Sequence, residues 1–449
     1  MGAGTVDLLV IGGGMAGLSA AARVASEGGS VVLVERAERT GGSARFAGFV
    51  WTAPTVEELR RINPDGDPEL ATALLNGFED AVAWIRLLGV ECRPPVPVLG
   101  FGRGHQVDTN RYLDACERLI RDRGGDVLTA TRTRDLLTED GVVRGAECVL
   151  PDGSRRRIDA AWTLLATGGF QGDPDLRAEH IHPRAREIGL RANPYSRGEG
   201  LALGLAAGAA FGPKDAGFYG HLMPAGVSLS DPARFVGLAL YYSEHALLFD
   251  ITGERFADET AGDHLTTMAL LERPQARGLL VADARVHREW ISASYVEGIP
   301  GVDKFQLCHR AGARCAVADS LEEFAWMPAE WGYPGTRIRD RVEEFNAAVR
   351  DGGETAPGRL LDRQPLDEPP FYVIEAVPAI TFTFSGLLTD AGAHVLSADG
   401  HHRIPGLLVA GADAGGLYRR AYAGGLAPAL VFGLAAARTV LAGTAGGGR

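Results

Sequence analysis

The chain has 449 residues, enough for two domains, and a net charge of −12. The negative charge argues against a nucleic acid or an anionic membrane as a partner, because both require a basic surface. The five cysteines form no CxxC pair and no metal-type cluster, so the sequence predicts no metal site, no Fe–S cluster and no c-type haem.

Cysteine usage and the apolar stretches bear on where the chain works. The odd cysteine count and the lack of a charged-then-apolar leader predict a cytoplasmic protein. The longest apolar stretches, Leu201–Gly212 and Ala427–Leu441, are rich in small residues and shorter than a membrane span. No membrane span is therefore expected.

The first 35 residues have the pattern of a strand–helix–strand unit. Val6–Ile11 (VDLLVI) is a continuous apolar run typical of a buried parallel strand. Met15–Glu27 is alanine-rich with helical spacing, and Ser30–Glu35 (SVVLVE) is a second buried strand. Further on, Asp126–Thr131 followed by Val142–Leu150 indicates a hairpin in the same domain.

Two later apolar runs also predict buried strands. Trp162–Ala166 (WTLLA) leads directly into Thr167-Gly168-Gly169, and Gly406–Ala410 (GLLVA) leads into Gly411-Ala412-Asp413. Ligands of a doubly wound sheet bind beyond the carboxyl ends of its strands. Three strands that end in glycine turns therefore predict one ligand-binding crevice.

The middle of the chain has a different character. From about residue 191 to 367, aromatic residues, histidines and irregular loops replace the alternation of strand, glycine turn and helix. Gln364–Pro370 (QPLDEPP) has the composition of a return linker. The prediction is a discontinuous domain, residues 1–190 plus 368–449, with residues 191–367 inserted as a second domain.

Glycines at the end of the first strand predict a dinucleotide site. Gly12, Gly14 and Gly17 have the GxGxxG spacing, which provides a tight turn, close approach to a pyrophosphate at a helix N-terminus, and close helix–strand packing. Glu35 ends the second strand, where a carboxylate accepts the ribose hydroxyls. The second glycine loop, Gly41-Gly42-Ser43, favours the longer FAD over NAD.

Short segments over nearly the whole chain carry a resemblance that is specific as a set. They are GGGMAGLSAA at 12–21, GGSARFAGFVW at 41–51, ATGGF at 166–170, GEGLALGLAAGA at 198–209, GERFADE at 253–259, TFSGLLTDAGAHVL at 383–396, IPGLLVAGADAGG at 404–416 and AGGLAPALVFGLAAA at 423–437. On these segments the chain resembles the fumarate reductase/succinate dehydrogenase flavoprotein superfamily.

The resemblance implies an α/β fold, in which a Rossmann-type FAD-binding domain carries an inserted α+β cap (substrate) domain. It also implies hydride transfer between flavin N5 and a carbon next to an activated carbon–carbon bond. Members with covalent flavin have a histidine just after the second glycine loop. This chain has Ser43-Ala44-Arg45-Phe46 there, so non-covalent FAD is expected.

The fingerprint and the resemblance together assign the residues expected to bind FAD. Asp413 is included because it stands where the superfamily often has a glutamate near the ribityl chain. The full set is Gly12, Gly14, Met15, Ala16, Gly17, Glu35, Arg36, Gly41, Gly42, Ser43, Gly48, Thr167, Gly168, Gly169, Asp413, Gly425, Pro428, Ala429 and Leu430.

The substrate ligands of the superfamily's dicarboxylate enzymes are missing. Those enzymes bind two carboxylates through arginines and histidines. Met223 replaces the histidine of the HPTG pattern, and Phe382 that of the HTxGG pattern. Tyr422 replaces the arginine before the last glycine pair, and Thr260–His264 (TAGDH) lacks the cap arginine. Four such losses argue that the substrate is not a fumarate-like dicarboxylate.

With these replacements the chain resembles the 3-ketosteroid dehydrogenase-like branch. That branch is similar in its GGSxxxGxxW pattern (Gly41 to Trp51) and in a tyrosine at the position of Tyr422. By this resemblance, Tyr422 hydrogen-bonds a substrate carbonyl. A donor placed where enolate charge develops favours enolisation, so a weak base can take the α-proton while the β-hydride leaves. Tyr422 is the first catalytic candidate.

The base is expected from the cap. Glu244 and Tyr242 are the leading candidates, with Tyr241 and His245 beside them, although each is also compatible with a structural role. The weaker candidates are Tyr219 and His221. Two further pairs are expected at the surface, with an acidic substrate group as the alternative for the first: Arg419-Arg420 and His401-His402.

The sequence therefore predicts a FAD-dependent dehydrogenase that acts on CH–CH groups. The substrate is expected to be a largely apolar or aromatic small molecule, oxidised α,β to a carbonyl, with an external electron acceptor or donor. One alternative is an ene-reductase of an activated alkene. The other is a flavin-bound protein without turnover.

Overall fold

The computed structural model describes residues 4–231, 234–293 and 301–446. The chain divides into two compact units. The first unit comprises Met1–Ile181, Ala192–Phe218 and Phe382–Arg449; the second comprises His182–Arg191 and Tyr219–Thr381.

The first unit is built on an eight-stranded sheet. Its six main strands lie, in spatial order, at His394–Leu396, Arg403–Val409, Arg155–Leu165, Val6–Ile11, Val31–Val34 and Asp126–Leu128. All but the first run parallel to one another. The sheet is completed by Arg132–Glu139 and Val142–Val149, which form an antiparallel hairpin beside Arg155–Leu165.

The prediction of one crevice depends on where these parallel strands end. Ile11 pairs with Leu165 and with Val34, and Leu165 also pairs with Val409, so the strand ends lie at one edge of the sheet. This register confirms that the glycine-ended strands are neighbours. The predicted hairpin is wrong in its first strand, because Asp126–Leu128 pairs in parallel with Val31–Val34.

Helices and small sheets complete the first unit. Apolar runs form its buried framework: Leu9 and Val10 are fully buried, and each such side chain contributes about 1.5–3 kcal/mol. The helices are Met15–Ser26, Val56–Ile62, Pro68–Leu87, Thr109–Asp122, Pro174–His180, Glu199–Ala206 and Leu426–Gly446. The remaining strands are Phe49–Thr52, Val96–Val98, Gly102–Gln106, Phe211–Gly212 and Gly386–Leu387.

The C-terminal helix is longer than the apolar stretch 427–441 suggested. Among the described residues, its window Leu426–Gly443 is the one helix long and apolar enough to cross a membrane, by length and composition only. Within the structure 56 % of that window is buried, and a Cβ at Gly433 would lie 2.5 Å from the carbonyl oxygen of Ala16. The expected length limit is wrong because the helix continues through the small residues that follow. The absence of a membrane span stays a prediction.

The second unit contains a six-stranded mixed sheet and short helices. Its long strand, Phe371–Thr383, has several partners and forms the centre of the sheet. The other strands are Gly189–Leu190, Phe218–Pro224, Leu247–Asp250, Gly278–Ala282 and Cys315–Ala318. The helices are Phe235–Leu238, Asp263–Glu272, Ala284–Val286, Lys304–Arg310 and Gly335–Arg350.

The bounds of the second unit differ from the predicted 191–367. Residues 192–218 belong to the first unit, where the Gly200 N–H donates to Thr167 Oγ1 at 3.0 Å. Residues 368–381 belong to the second unit, because residues 372–376 of the strand Phe371–Thr383 pair with Gly278–Ala282. The proline-rich segment therefore precedes a central strand of the second unit and is not a return linker.

Candidate active site

The first glycine turn has a shape that only glycine permits. Gly12 has φ of +108°, and a Cβ there would lie 2.2 Å from the carbonyl oxygen of Ala166. A Cβ at Gly17 would lie 2.0 Å from the Gly12 carbonyl oxygen, whereas one at Gly14 would meet nothing within 4 Å. Gly14 caps the helix Met15–Ser26 without a side-chain hydrogen bond. The helix N-terminus thus faces open space with its N–H groups available for an anion.

Glu35 is held by the backbone of this turn. Its Oε2 accepts the Gly13 N–H at 2.8 Å, and its Oε1 accepts the Ala37 N–H at 2.8 Å. Burial raises the pKa of Glu35, and the backbone hydrogen bonds oppose that rise. Each oxygen keeps a lone pair that can accept a ribose hydroxyl. The side chain of Arg36 forms an ion pair with Glu199, and its contact with FAD stays a prediction.

The second glycine loop lies against the first. The Gly41 N–H donates to the Gly13 carbonyl at 2.6 Å, and a Cβ at Gly42 would lie 3.8 Å from Gly14 Cα. Gly41 and Gly42 have φ of +110° and +51°. Ser43 Oγ accepts the N–H of Asn193 at 3.1 Å. The two glycine loops are therefore adjacent, which fits an extended FAD.

The chain after the second loop is fixed by protein groups. Arg45 Nε donates to the Thr40 carbonyl at 2.6 Å, and Arg45 Nη2 pairs with Asp114 at 2.8 Å. The Gly48 carbonyl accepts the Val107 N–H at 2.8 Å. These bonds between residues of the chain fix the segment that follows the second glycine loop.

Asp413 organises the glycine turn after the strand Arg155–Leu165. It is 1 % exposed, and its Oδ1 accepts from the Gly169 N–H at 2.8 Å and from Thr167 Oγ1 at 3.0 Å. Its Oδ2 accepts the Thr167 N–H. Burial raises the pKa of Asp413, and hydrogen bonds from this turn, including one from Gly168, oppose it. Asp413 thus shapes the turn through both oxygens, and contact with the ribityl chain stays a prediction.

The last glycine loop opens the C-terminal helix. Gly425, Pro428 and Ala429 are half-buried, and Leu430 is buried. A Cβ at Gly425 would lie 2.9 Å from the ring of Phe382. The loop therefore requires glycine at this point, and the first helical turn is left partly accessible at its N-terminus.

Aromatic rings surround Tyr422 in the first unit. The Trp51 ring lies edge-on at 5.3 Å between centroids, Phe382 at 6.0 Å and Tyr418 at 6.1 Å. Tyr422 is 6 % exposed. We call Tyr422 and these three rings, together with Phe101 beside Trp51 and Phe384 beside Phe382, the aromatic cluster.

Tyr418 fixes the loop that carries Tyr422. Its hydroxyl donates to the Gly424 carbonyl at 2.8 Å, and burial raises its pKa well above the usual value. Gly424 has φ of +96°, and a Cβ there would lie 2.0 Å from the Trp51 carbonyl oxygen. The Tyr418 bond and the glycine backbone together define the position of Tyr422.

The second unit contains a group of charged and titratable side chains around Tyr241. The Tyr241 hydroxyl accepts from Arg191 Nη2 at 2.7 Å. The Lys304 Nζ lies 5.1 Å from the centroid of the Tyr241 ring, and the His221 ring lies edge-on at 5.1 Å. We call this group, with Asp263 and Glu244 described next, the polar cluster.

Asp263 links two members of the polar cluster. Its carboxylate bonds to His221 Nδ1 and accepts the Leu222 N–H at 3.0 Å. Burial raises the pKa of Glu244 to about 7, and the negative charge of Asp263 adds to that rise. Burial and then Arg191 lower the pKa of His221. Among the proposed bases, Glu244 thus has the pKa suited to proton exchange near neutral pH.

The other base candidates have structural surroundings. Tyr242 is 1 % exposed and belongs to the apolar core of the second unit, as does Met223. His245 stacks on Trp290 at 3.6 Å between ring centroids, and its Nδ1 bonds to Asp362 at 2.7 Å. The catalytic assignment of Tyr242 is therefore less well supported than that of Glu244, because its phenol is surrounded by core side chains.

Sequence reasoning did not identify Asp263, Arg191 or Lys304 as members of a site. In the sequence, Asp263 belongs to TAGDH, a segment that is informative only for the arginine it lacks, and Arg191 lies at a predicted domain boundary. Arg419-Arg420 and His401-His402 are exposed, as predicted. Within the described ranges, no group of three or more His, Cys, Asp or Glu side chains is arranged to hold a metal ion.

Comparisons with known proteins agree with this geometry. A family model described as FAD binding domain matches residues 7–426, so the chain belongs to this family. It is 27 % identical over 452 residues to fumarate reductase (cytochrome) of Shewanella frigidimarina, covering 92 % of this chain and 73 % of that one. It is 24 % identical to vinyl phenol reductase of Lactiplantibacillus plantarum, covering 92 % and 90 % of the two chains.

A solved structure matches the fold. The chain superposes on 3-ketosteroid delta1-dehydrogenase from Sterolibacterium denitrificans with a TM-score of 0.78 at 18 % identity, covering 98 % of this chain and 100 % of that one. Together the comparisons confirm the mixed α/β fold, the flavoprotein superfamily of fumarate reductase and succinate dehydrogenase, and FAD as the cofactor. They also confirm the enzyme class, a FAD-dependent oxidoreductase acting on carbon–carbon bonds.

Proposed function

We propose that the protein dehydrogenates a carbon–carbon bond α,β to a carbonyl in a largely apolar or aromatic small molecule. The first unit acts as the Rossmann-type FAD-binding domain and the second as the cap that contributes substrate-binding groups. FAD is bound non-covalently, and electrons leave to an external acceptor. Fumarate-like dicarboxylates are not substrates.

The aromatic cluster carries this proposal. Phe382 and Tyr422, 6.0 Å apart between ring centroids, occupy two positions where the superfamily's dicarboxylate enzymes have a histidine and an arginine. A dicarboxylate requires bidentate cationic partners. Aromatic rings instead provide an apolar contact surface, with the Tyr422 hydroxyl as a polar group at its edge. This combination suits a ring-bearing substrate with one carbonyl.

The chemistry divides between the cofactor and the chain. Bound FAD supplies a hydride acceptor at N5. The Tyr422 hydroxyl donates a hydrogen bond to the substrate carbonyl oxygen, where negative charge develops as the α-proton leaves. Gly424 and Tyr418 hold that hydroxyl in place through the loop geometry.

Glu244 is the proposed base. Its pKa of about 7 means that near neutral pH both protonation states are populated. The carboxylate form takes the α-proton during dehydrogenation, and the carboxylic acid returns it during the reverse reaction. Asp263 supports this function because its negative charge contributes to the raised pKa of Glu244.

Reduction of an activated alkene is the second candidate. It is favoured by the sequence relatives that are reductases, which include a fumarate reductase and a vinyl phenol reductase. The same residues serve both directions, because Tyr422 stabilises the same enolate and Glu244 exchanges the same proton. The redox potential of the external partner decides the net direction.

The test is anaerobic titration of the flavin absorbance. We expect 4-phenylbutan-2-one to bleach the oxidised enzyme and 4-phenylbut-3-en-2-one to reoxidise the dithionite-reduced enzyme, whereas succinate and fumarate do neither. Reoxidation by fumarate would show that the enzyme accepts dicarboxylates and would overturn the substrate assignment. No response to a broad panel of ketones and enones would support a flavin-bound protein without turnover.

A further inference from the structure

A buried arginine in the polar cluster has no acidic partner among the residues that the structure describes. Arg191 is 8 % exposed, and its guanidinium donates to two neutral hydroxyls, Tyr241 at 2.7 Å and Thr381 at 3.3 Å. Its Nε is buried without a hydrogen-bond partner. Among the described residues no carboxylate forms an ion pair with it. Most of its five donors are therefore unused.

Other buried arginines of the second unit are paired in the usual way. Arg255 is 8 % exposed and pairs with Glu259 at 2.7 Å, and Arg359 is 4 % exposed and pairs with the same carboxylate at 3.0 Å. A buried charge is costly unless an opposite charge compensates it. Arg191, buried to the same extent as Arg255, has no such compensation within the described chain.

The described neighbours of Arg191 form no ion pair with it. Lys304 adds a second cation near Tyr241, with its Nζ 5.1 Å from the centre of that ring. The Asp263 carboxylate is occupied by His221 and by the Leu222 N–H. Arg191 thus keeps unused hydrogen-bond donors and a positive charge that no described carboxylate pairs with directly, which is the chemistry that recognises an oxyanion.

We propose that Arg191 binds a carboxylate of the substrate. This inference rests on the proposed function and narrows it to a monocarboxylic acid with an apolar or aromatic body. Met223, Phe382 and Tyr422 remove the cations that would hold a dicarboxylate, while Arg191 supplies a bidentate partner for one carboxylate. The lost ligands and the unpaired arginine together favour one acidic group and not two.

Two probes of equal shape test the inference by binding to the oxidised holoenzyme. In 4-phenylbutan-2-one a methyl group replaces one carboxylate oxygen of 3-phenylpropanoate. We expect calorimetric titration to show that the acid binds more tightly than the ketone. Arg191→Gln should lower the affinity for the acid by about 30-fold or more. The affinity of the same variant for the ketone should change by less than about threefold. Arg191→Lys should give an intermediate loss, because lysine keeps the charge without the planar fork.

Arg184→Gln is the matched control, because Arg184 is an exposed arginine of the same unit that bonds to the backbone carbonyl of Glu272. It should leave both affinities unchanged, and FAD content with thermal unfolding verifies that every variant is folded. Inorganic phosphate is a third probe. Phosphate binding as tightly as the acid with the same dependence on Arg191 would indicate a general anion site and overturn the substrate assignment.

The remaining outcomes separate this inference from the proposed function. The carboxylate inference fails if the ketone binds as tightly as the acid. It also fails if the affinity of Arg191→Gln for the acid stays within threefold of the wild-type affinity. The proposed function still stands in that case if the ketone bleaches the flavin. If neither probe binds the wild type, both the aromatic substrate and its carboxylate are contradicted.

Discussion

Tyr422 and Tyr241 lie in opposite chemical surroundings. Tyr422, in the first unit, is packed among neutral rings on a loop whose shape is fixed by Gly424 and Tyr418. Tyr241, in the second unit, contacts Arg191, Lys304 and His221. The first unit thus controls its site through backbone shape and apolar contact, whereas the second uses charge. Substitutions that change shape should act mainly in the first unit, and substitutions that change charge mainly in the second.

The largest expected effect is a change of backbone shape. Gly12→Ala should yield a protein that purifies without FAD, because the added Cβ would lie 2.2 Å from the Ala166 carbonyl oxygen. The flavin absorbance of the purified protein is the measurement. Gly28→Ala is the control: Gly28 also has a positive φ, +88°, but a Cβ there meets nothing within 4 Å. It should cost about 1–2 kcal/mol of stability and retain FAD. Full FAD content in Gly12→Ala would break the comparison.

Removing one hydroxyl from the aromatic cluster should have the next largest effect. Tyr422→Phe should lower kcat by about 100- to 1,000-fold with little change in KM, because the hydrogen bond strengthens as enolate charge develops. Steady-state kinetics with an artificial acceptor measure it. Tyr333→Phe is the control, since Tyr333 is also a buried tyrosine and donates to Glu375 at 3.0 Å. Full turnover in Tyr422→Phe would show that the proposed donor is wrong.

A change of charge in the polar cluster should shift a pH profile. Glu244 must be deprotonated to act as base, so kcat/KM for dehydrogenation should rise through about pH 7 and that for reduction should fall there. Asp263→Asn removes a negative charge that raises the Glu244 pKa, so both limbs should move down by about one unit. Asp362→Asn, which removes a carboxylate bonded to His245, should not move them. If the pH profile of Asp263→Asn is unshifted, Glu244 is not the group whose titration controls the rate.

The smallest effect is expected from a residue that acts only through another. Tyr418→Phe leaves the Gly424 carbonyl without its donor and should cost about 1–3 kcal/mol in the free energy of unfolding, measured by urea denaturation. Because Tyr422 is then less well positioned, kcat should fall several-fold while KM stays within twofold. A kcat equal to that of the wild type would reduce Tyr418 to a structural role.

The backbone of the first unit was the more predictable part from sequence. Gly12, Gly14 and Gly17 have a fixed spacing because each meets a separate steric requirement, and that requirement is visible in the letters alone. The neighbouring strands could be inferred because each apolar run ends in glycine. The exact unit boundaries could not, because the position of Phe371–Thr383 in the second sheet depends on pairing with distant strands.

The polar cluster was the less predictable part. Arg191, Tyr241 and Asp263 are far apart in sequence and have no shared spacing, so tertiary packing alone brings them together. Glu244 could be predicted only as one of several candidate bases in the cap, because its raised pKa follows from burial and from the charge of Asp263. Neither burial nor a missing ion-pair partner can be recognised in the sequence.

Glu35 has a practical consequence for exchange of the cofactor. Its carboxylate is already bonded to the N–H groups of Gly13 and Ala37, so the loop that is predicted to meet the adenosine end of FAD is organised by the chain itself. Apoprotein prepared at moderately low pH should therefore recover its loop on neutralisation and accept FAD analogues. Reconstitution with 5-deaza-FAD, which transfers hydride but is a poor one-electron carrier, would then separate the carbon–carbon chemistry from electron delivery to the external partner.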